Sequence, residues 1–441
     1  MILLVYIIVF LLPIATLEPS KELWFISLFD IVFIPLVIYW ILDKIIKKKK
    51  IFSRTIFKHC LIILAIASVL SSILASNSQI SFWGFLLMFR YYLFFQLLID
   101  QLNTDDKIKK VIALFITGLI IVSVIGLIQG LLGSNFHIES THPMSTNIQF
   151  SLGNRGYIRT IGTFYNSLNF AMYLSVGLFL ILALKRVTIF HWIFLLCSLL
   201  IVITALLQTF SRGPILYALL CLVTYFLIIF RKKILLLAYI PLVILLISPQ
   251  LNIQFNNIFF SDLLVDRFLM LENYENNVRY NIWLSVYERI GDNLFGVGYK
   301  NFNYQIDWPT VILRHENYLN DRAAGWNPFV FHFENVYLAV YMNLGFLGLL
   351  GFCALVGKMI IKPINLFKQA TNDNLKNMTL ILFIANLSFA LNMFTNPAIL
   401  SDFRIMLLFW FLMALVQVLK KKDRGVKKNK CKKIVVIKRG C

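Results

Sequence analysis

Apolar stretches of about 20 residues recur along nearly the whole chain, and this one feature dictates the class of fold. An α-helix rises about 1.5 Å per residue, so a run of that length crosses the hydrocarbon core of a bilayer. Helices of a soluble protein keep a polar face, and these runs have none. Inside lipid every backbone N–H and C=O must be satisfied by the protein itself, and a continuous apolar run of this length does so as a helix. Composition points the same way. The 441 residues are 59% hydrophobic and 14% charged, against about 25% charged in ordinary soluble domains. The sequence therefore predicts an all-α polytopic membrane protein with about twelve transmembrane helices.

The expected spans are 1–17, 22–42, 59–76, 80–99, 111–132, 168–184, 189–210, 213–230, 234–249, 335–357, 378–395 and 402–419. Lys and Arg are retained on the cytoplasmic side of a membrane. Placing the basic loop from Lys44 to Lys58 inside puts every strong Lys cluster inside as well, including Arg231 to Lys233 and Lys420 to Lys422. Both termini are then cytoplasmic. The chain divides into a bundle over 1–249 with an outer loop at 133–167, a large extracytoplasmic loop at 250–334, three further spans over 335–419 and a basic tail at 420–441. The large loop, between spans nine and ten, holds six Lys or Arg against ten Asp or Glu, unlike the inner loops. It is too long for a plain connector. It is expected to be partly helical, because Val278, Ile282, Trp283, Val286 and Ile290 fall on one helical stripe.

The net charge of +21 does not read as nucleic-acid binding. It sits in short clusters between apolar runs, which is how topology is encoded. The tail carries eleven Lys or Arg against Asp423 alone; it is a topology anchor or a segment that touches anionic lipid. The six cysteines show no CxxC, and no long outer loop contains one, so neither a disulfide framework nor structural zinc is expected. The N-terminus lacks the basic region of a cleaved signal, and a second span follows almost at once.

Four patches depart from plain membrane logic, all at the expected outer face. The turn Thr209 to Pro214 places Arg212 on the outer side against the positive-inside preference. With a helix start beside it, Arg212 forms an anion site or else snorkels at the interface. Ser211 supports the same turn. Trp283 lies on the amphipathic stripe, and Arg279 is an outward cation of the same helix, functional or simply solvated; Gly296-Val297-Gly298 follows, either a functional loop or a simple turn. His332, Glu334 and Asn335 enter the tenth span, as proton acceptors or as a helix cap favoured by the dipole. Behind them Gly345 and Gly348 permit close helix packing. The fourth patch runs from Arg159 to Asn169, where Asn166 and Asn169 are alternatives for capping the sixth span.

In order and spacing these patches resemble the O-antigen ligase and polymerase family over about Arg159 to Gly348. RTIGTFYNSLNFAMYL is similar to the family's Gly-Thr-Phe, Asn and Phe-Ala pattern, and TFSRGP to its Ser-Arg-Gly turn. Arg279 with Trp283 and then LFGVGYKNF resembles a further hallmark, and ENVYLAVYMNLGFLGLLGF resembles the His-Asn helix. Ligases of this family carry His directly before the Asn. Here that position is Glu334, with His332 two residues earlier, which leans towards polymerase.

The resemblance implies a membrane glycosyltransferase of cell-surface polysaccharide biosynthesis in the bacterial inner membrane. The donor would be a polyprenyl-pyrophosphate-linked glycan and the acceptor a glycan or lipid, with no cofactor and no metal; flippase and chain-length regulator proteins are candidate partners. In that scheme Arg212 and Arg279 hold the leaving pyrophosphate, Arg159 is a third cation, and His332 or Glu334 takes the acceptor proton. Asn335 orients the group, and Ser211, Trp283 and Asn169 support the site. Arg90, midway along the fourth span, either holds lipid phosphate in the bundle or pairs structurally with a carbonyl or carboxylate. The spacings of His137, His142 and His315 fit no zinc ligand pattern. Ligation to a different acceptor is the alternative within the class. A lipid-linked-sugar flippase and a non-catalytic sensor are the alternatives outside it.

Overall fold

The computed structural model describes residues 1–14, 28–132, 149–152, 155–164, 166–184, 188–230, 287, 291, 294–299, 301, 335–370, 372–396, 399 and 402–439, with backbone alone for 28, 149–152, 155–158 and 423–439. Among the described residues eleven helices follow one another: α1 (Ile2–Leu11), α2 (Leu28–Ile46), α3 (Lys58–Ile73), α4 (Ser78–Gln101), α5 (Asp105–Leu132), α6 (Ser167–Ile181), α7 (Ile189–Gln208), α8 (Arg212–Phe230), α9 (Val336–Gln369), α10 (Asp373–Asn392) and α11 (Phe403–Arg439). They occupy eleven of the twelve expected spans. The ninth, 234–249, lies outside the described residues, as does nearly all of the loop 250–334.

Among the described residues seven helices are long and apolar enough to cross a membrane: α4, α5, α7, α8, α9, α10 and α11 as far as Lys422. α1, α3 and α6 are apolar but shorter. α2 has 19 residues and includes Asp30, Asp43 and Lys44. The fold is all-α and membrane-spanning, with seven spans supported by length and apolarity against the dozen expected. Among the described residues the exception to helix is a short hairpin inside the loop 133–167. There β1 (Gln149–Leu152) pairs antiparallel with β2 (Arg155–Ile158), Gln149 opposite Ile158.

α6 is the centre of the bundle. Every side chain from Asn169 to Ile181 is buried, against α7, α8 and α10. α10 and the membrane-spanning part of α11 are also enclosed on most sides. α2, α3 and α7 are peripheral, with large apolar side chains such as Ile38, Leu196 and Leu200 exposed. In water such faces would be a liability, but facing acyl chains they cost nothing.

Polar contacts sort the two ends of the bundle. At one end Lys44 pairs with Asp100, Lys422 with Asp105, and Lys47 with Asp43. The carboxylate of Asp43 raises the pKa of exposed Lys47 above the usual lysine value, mainly through their hydrogen bond. The basic loop before α3 docks at this same end, because Ile56 N donates to Gln417 Oε1 at 3.0 Å and Ser53 N to Gln96 Oε1 at 3.0 Å. The opposite end gathers the start of α6, the α7–α8 turn, the start of α9 and the α10–α11 connection.

Candidate functional site

At that opposite end, two segments far apart in sequence lock together. The chain entering α6 meets the α7–α8 turn: Thr160 N donates to the Gln208 carbonyl at 3.2 Å. Arg159 then grips the turn, with Nε donating to the Thr209 carbonyl at 2.9 Å and Nη2 to Ser211 Oγ at 2.8 Å. Ser211 is buried and reaches the Ser167 carbonyl at 3.4 Å. Phe210 holds φ at 49°, a left-handed backbone that bends the chain sharply between the two helices. α8 starts directly after, at Arg212, which is half-buried. Gly213 lies against Thr395, so a Cβ there would come within 2.9 Å of Thr395 Oγ1.

Gln129 near the end of α5 supports the same loop from below. Its Oε1 accepts from Gly162 N at 2.8 Å and Ile161 N at 3.2 Å, while Nε2 donates to the Gly162 carbonyl at 2.8 Å. Gly162 has φ of +59° and sits against the Phe170 ring, which excludes a side chain there.

Beside this clamp lies a charge pair that sequence reasoning passed over. Arg404, on the first turn of α11, is fully buried and forks onto Asp402, with Nε to Oδ1 at 2.9 Å and Nη2 to Oδ2 at 3.1 Å. Its Nη1 donates to the Thr163 carbonyl, and its Cζ lies 4.4 Å from the centre of the Phe164 ring. Asp402 also accepts from Arg404 N at 3.0 Å and from Asn169 Nδ2 at 3.2 Å. An ion pair this deep is tolerable only because each partner is also hydrogen-bonded. A signal was available in the sequence, since an Arg at the start of the last span, on the end expected to face outward, breaks the same charge preference that singled out Arg212.

The start of α9 closes the end. Asn335 caps the helix, its Oδ1 accepting from Tyr337 N at 2.9 Å and Leu338 N at 3.2 Å. Val336 N donates to the Met393 carbonyl at 2.9 Å, tying this start to the end of α10. Ten residues into the helix, α9 is broken. Gly345 has φ 71° and ψ −171°, and the segment 294–298 lies in the break. Phe346 N donates to the Leu294 carbonyl at 2.8 Å, Val297 N to the Met342 carbonyl at 2.8 Å and Gly298 N to the Asn343 carbonyl at 3.0 Å. The backbone groups freed by the break are thus satisfied by the loop. Gly296 and Gly298 hold φ of +79° and +90° to follow this path. The expectation that Gly345 serves helix–helix packing is corrected accordingly: it serves a chain crossing, in a conformation that side chains rarely adopt. Following the crossing, Tyr299 is buried, and burial pushes its hydroxyl pKa above the usual phenol range. Asn301 donates to the Asn77 carbonyl at 2.9 Å and to Ser81 Oγ.

Of the residues singled out from the sequence, the structure brings Arg159 and Ser211 into direct contact and sets Arg212 at the same turn. Asn166 caps α6, its Oδ1 accepting from Asn169 N at 2.7 Å, which frees the Asn169 side chain for Asp402. Arg90 is elsewhere, midway along α4. Its Nη1 donates to both Asp30 oxygens at 2.8 Å and its Nη2 to Tyr91 Oη at 2.9 Å. Arg279, Trp283, His332 and Glu334 lie outside the described residues, as do His137, His142 and His315.

Residues 197–353 match the family model described as O-antigen ligase. No curated protein matches the chain. The matched stretch contains Ser211, Arg212, Arg279, Trp283, His332, Glu334, Asn335 and Gly345, while Arg90, Arg159 and Asn169 precede it.

Proposed function

From the match of residues 197–353 to the family model described as O-antigen ligase, which supports O-antigen ligase/polymerase-type glycosyl transfer by a multi-pass membrane protein, we infer a polymerase of lipid-linked oligosaccharide. The donor in this reading is a glycan repeat unit on polyprenyl pyrophosphate at the extracytoplasmic face. An acceptor hydroxyl attacks the anomeric carbon. The bond from that carbon to the pyrophosphate oxygen breaks, and its electron pair leaves with the lipid pyrophosphate. The acceptor proton passes to His332 or Glu334.

Arg212 and Arg279 neutralise the leaving diphosphate, a task suited to the guanidinium fork. The grip of Arg159 on Thr209 and Ser211 supports a positioning role for that residue, since it fixes the turn that presents Arg212. The Asn335 cap supports a similar role at the start of α9, next to Glu334. The departure from the His-Asn pattern of ligases, with Glu334 before Asn335, favours polymerisation over ligation. No metal is needed in this scheme.

The observation that carries the reading is the family match, which spans Arg212, Arg279, His332 and Glu334, the four residues assigned to the chemistry. The test is reconstituted protein given lipid-linked oligosaccharide alone, in excess chelator. Longer chains and released lipid pyrophosphate are expected. Transfer only to a different acceptor would make it a ligase. The break in α9 favours a second reading, because transporters build sites at discontinuous helices. Translocation without covalent change would select that reading and end the enzymatic one.

A further inference from the structure

α3 packs chiefly on α9, and α4 on α11, so a crevice is left between the two pairs. Its volume is about 540 Å3. Its walls are apolar side chains, among them Leu61, Met88, Phe352 and Phe409. Along α9 it extends from Val340 to Leu355, roughly 20 Å at the rise of a helix. Ile62 and Phe89 line it and are both 43% exposed, so it opens sideways to the surrounding lipid.

At its basic end the crevice is lined by Arg54 and Lys58. Both are exposed, and neither has an ion pair or hydrogen bond through its side chain among the described residues. This is the end where Lys44–Asp100 and Lys422–Asp105 lie, opposite the site described above. An open apolar crevice within a bilayer fills with acyl chain, because a void forfeits contacts on every wall. Two cations at its mouth, level with the headgroups, select among the lipids that enter. Basic pockets between helices on the cytoplasmic side take anionic headgroups.

We propose that this crevice is a binding site for one anionic phospholipid. The headgroup phosphate sits between Arg54 and Lys58, and an acyl chain runs between α3 and α4 against Met88 and Phe409. The far end of the crevice reaches the crossing, where Tyr299, Asn343 and Leu344 line it, but the headgroup site at Arg54 and Lys58 lies at the opposite end, and its test involves no turnover.

The full chain, purified in mild detergent, is titrated with phosphatidylglycerol or phosphatidylcholine of identical chains, and bound lipid is counted by native mass spectrometry. Phosphatidylglycerol is expected to bind on the order of tenfold more tightly, the scale of two cations near a headgroup. Arg54→Ala with Lys58→Ala should bring it down to the phosphatidylcholine level, whereas Arg54→Lys should keep the preference. Ala65→Trp, which fills the crevice without touching either cation, should reduce both lipids together while thermal stability holds. Equal binding of the two lipids by the native chain overturns the proposal, as does a preference that survives the double substitution. So does displacement of bound phosphatidylglycerol by an equimolar polyprenyl diphosphate, which would hand the crevice to a donor-type lipid.

Discussion

Arg404 and Asp402 form a two-toothed ion pair on the first turn of α11, both essentially without solvent exposure, and the pair holds the loop entering α6 through Thr163 and Asn169. Removing one partner leaves an uncompensated charge in a low-dielectric interior, which costs about 3–5 kcal/mol. Arg404→Met should therefore sharply lower the melting temperature and the yield of folded protein. The double change Arg404→Met with Asp402→Asn should recover a large part of that loss, as read by thermal melts monitored by size-exclusion chromatography. A double variant as unstable as the single one would show that Arg404 acts through Thr163 and Phe164 rather than through Asp402.

The crossing at Gly345 sets a steric prediction. A Cβ there would lie 2.3 Å from the Leu294 carbonyl oxygen and 2.4 Å from Phe295 C, with φ at +71° besides. Gly345→Ala is expected to cost more than about 2 kcal/mol, by strain added to overpacking. Gly357, on the same helix, has nothing within 4 Å of a built Cβ. Gly357→Ala should be neutral or stabilising by up to about 1 kcal/mol. Thermal melts of the two variants side by side check both statements, and equal behaviour would refute the account of the break.

The Arg159 clamp predicts a graded series. Arg159→Lys retains the charge but cannot donate from separate nitrogens to Thr209 O and Ser211 Oγ in the fixed geometry of a guanidinium. A loss of about 1.5–3 kcal/mol is expected, the range of hydrogen bonds to charged groups. Ser211→Ala removes one acceptor from the pair and should cost about 1 kcal/mol. If Arg159 positions Arg212, its substitution should lower kcat in chain-extension assays while leaving the donor KM within about twofold.

Asn335 separates a cap from a catalytic role. Asn335→Ala loses both bonds to Tyr337 N and Leu338 N, worth about 1 kcal/mol. Asn335→Asp keeps the cap and suits the helix dipole. Equal melting temperatures for Asp and Asn at this position, with activity lost only in Asp, would assign Asn335 a role in the reaction itself. Equal activity would leave it a cap.

Arg90 and Asp30 are expected to behave as a structural couple. The Asp30 side chain is 2% exposed and accepts from one Arg90 nitrogen at both oxygens. Either single neutralisation should destabilise by about 3–5 kcal/mol, and Arg90→Met with Asp30→Asn by much less. The double variant is expected to keep chain extension. A folded double variant without turnover would instead put Arg90 in contact with the lipid phosphate.

Hydropathy determined the helices of this protein. Eleven of the expected spans are helices among the described residues because lipid leaves an apolar run no other way to satisfy its backbone. Asn166 and Asn335 could be read as candidate starting points because capping is local, within three residues. Tertiary structure alone decided the partners. The motif residues Arg159 and Ser211 are 52 positions apart, and nothing in either segment says that they bond. The sequence left the role of Arg90 open and read Gly345 as a helix-packing residue, and each was decided by a distant segment, Asp30 for one and 294–298 for the other. The charge of Arg404 at the start of the last span is legible in the sequence, but its burial against Asp402 is not, because burial of a charge is a property of the packed bundle rather than of three adjacent residues.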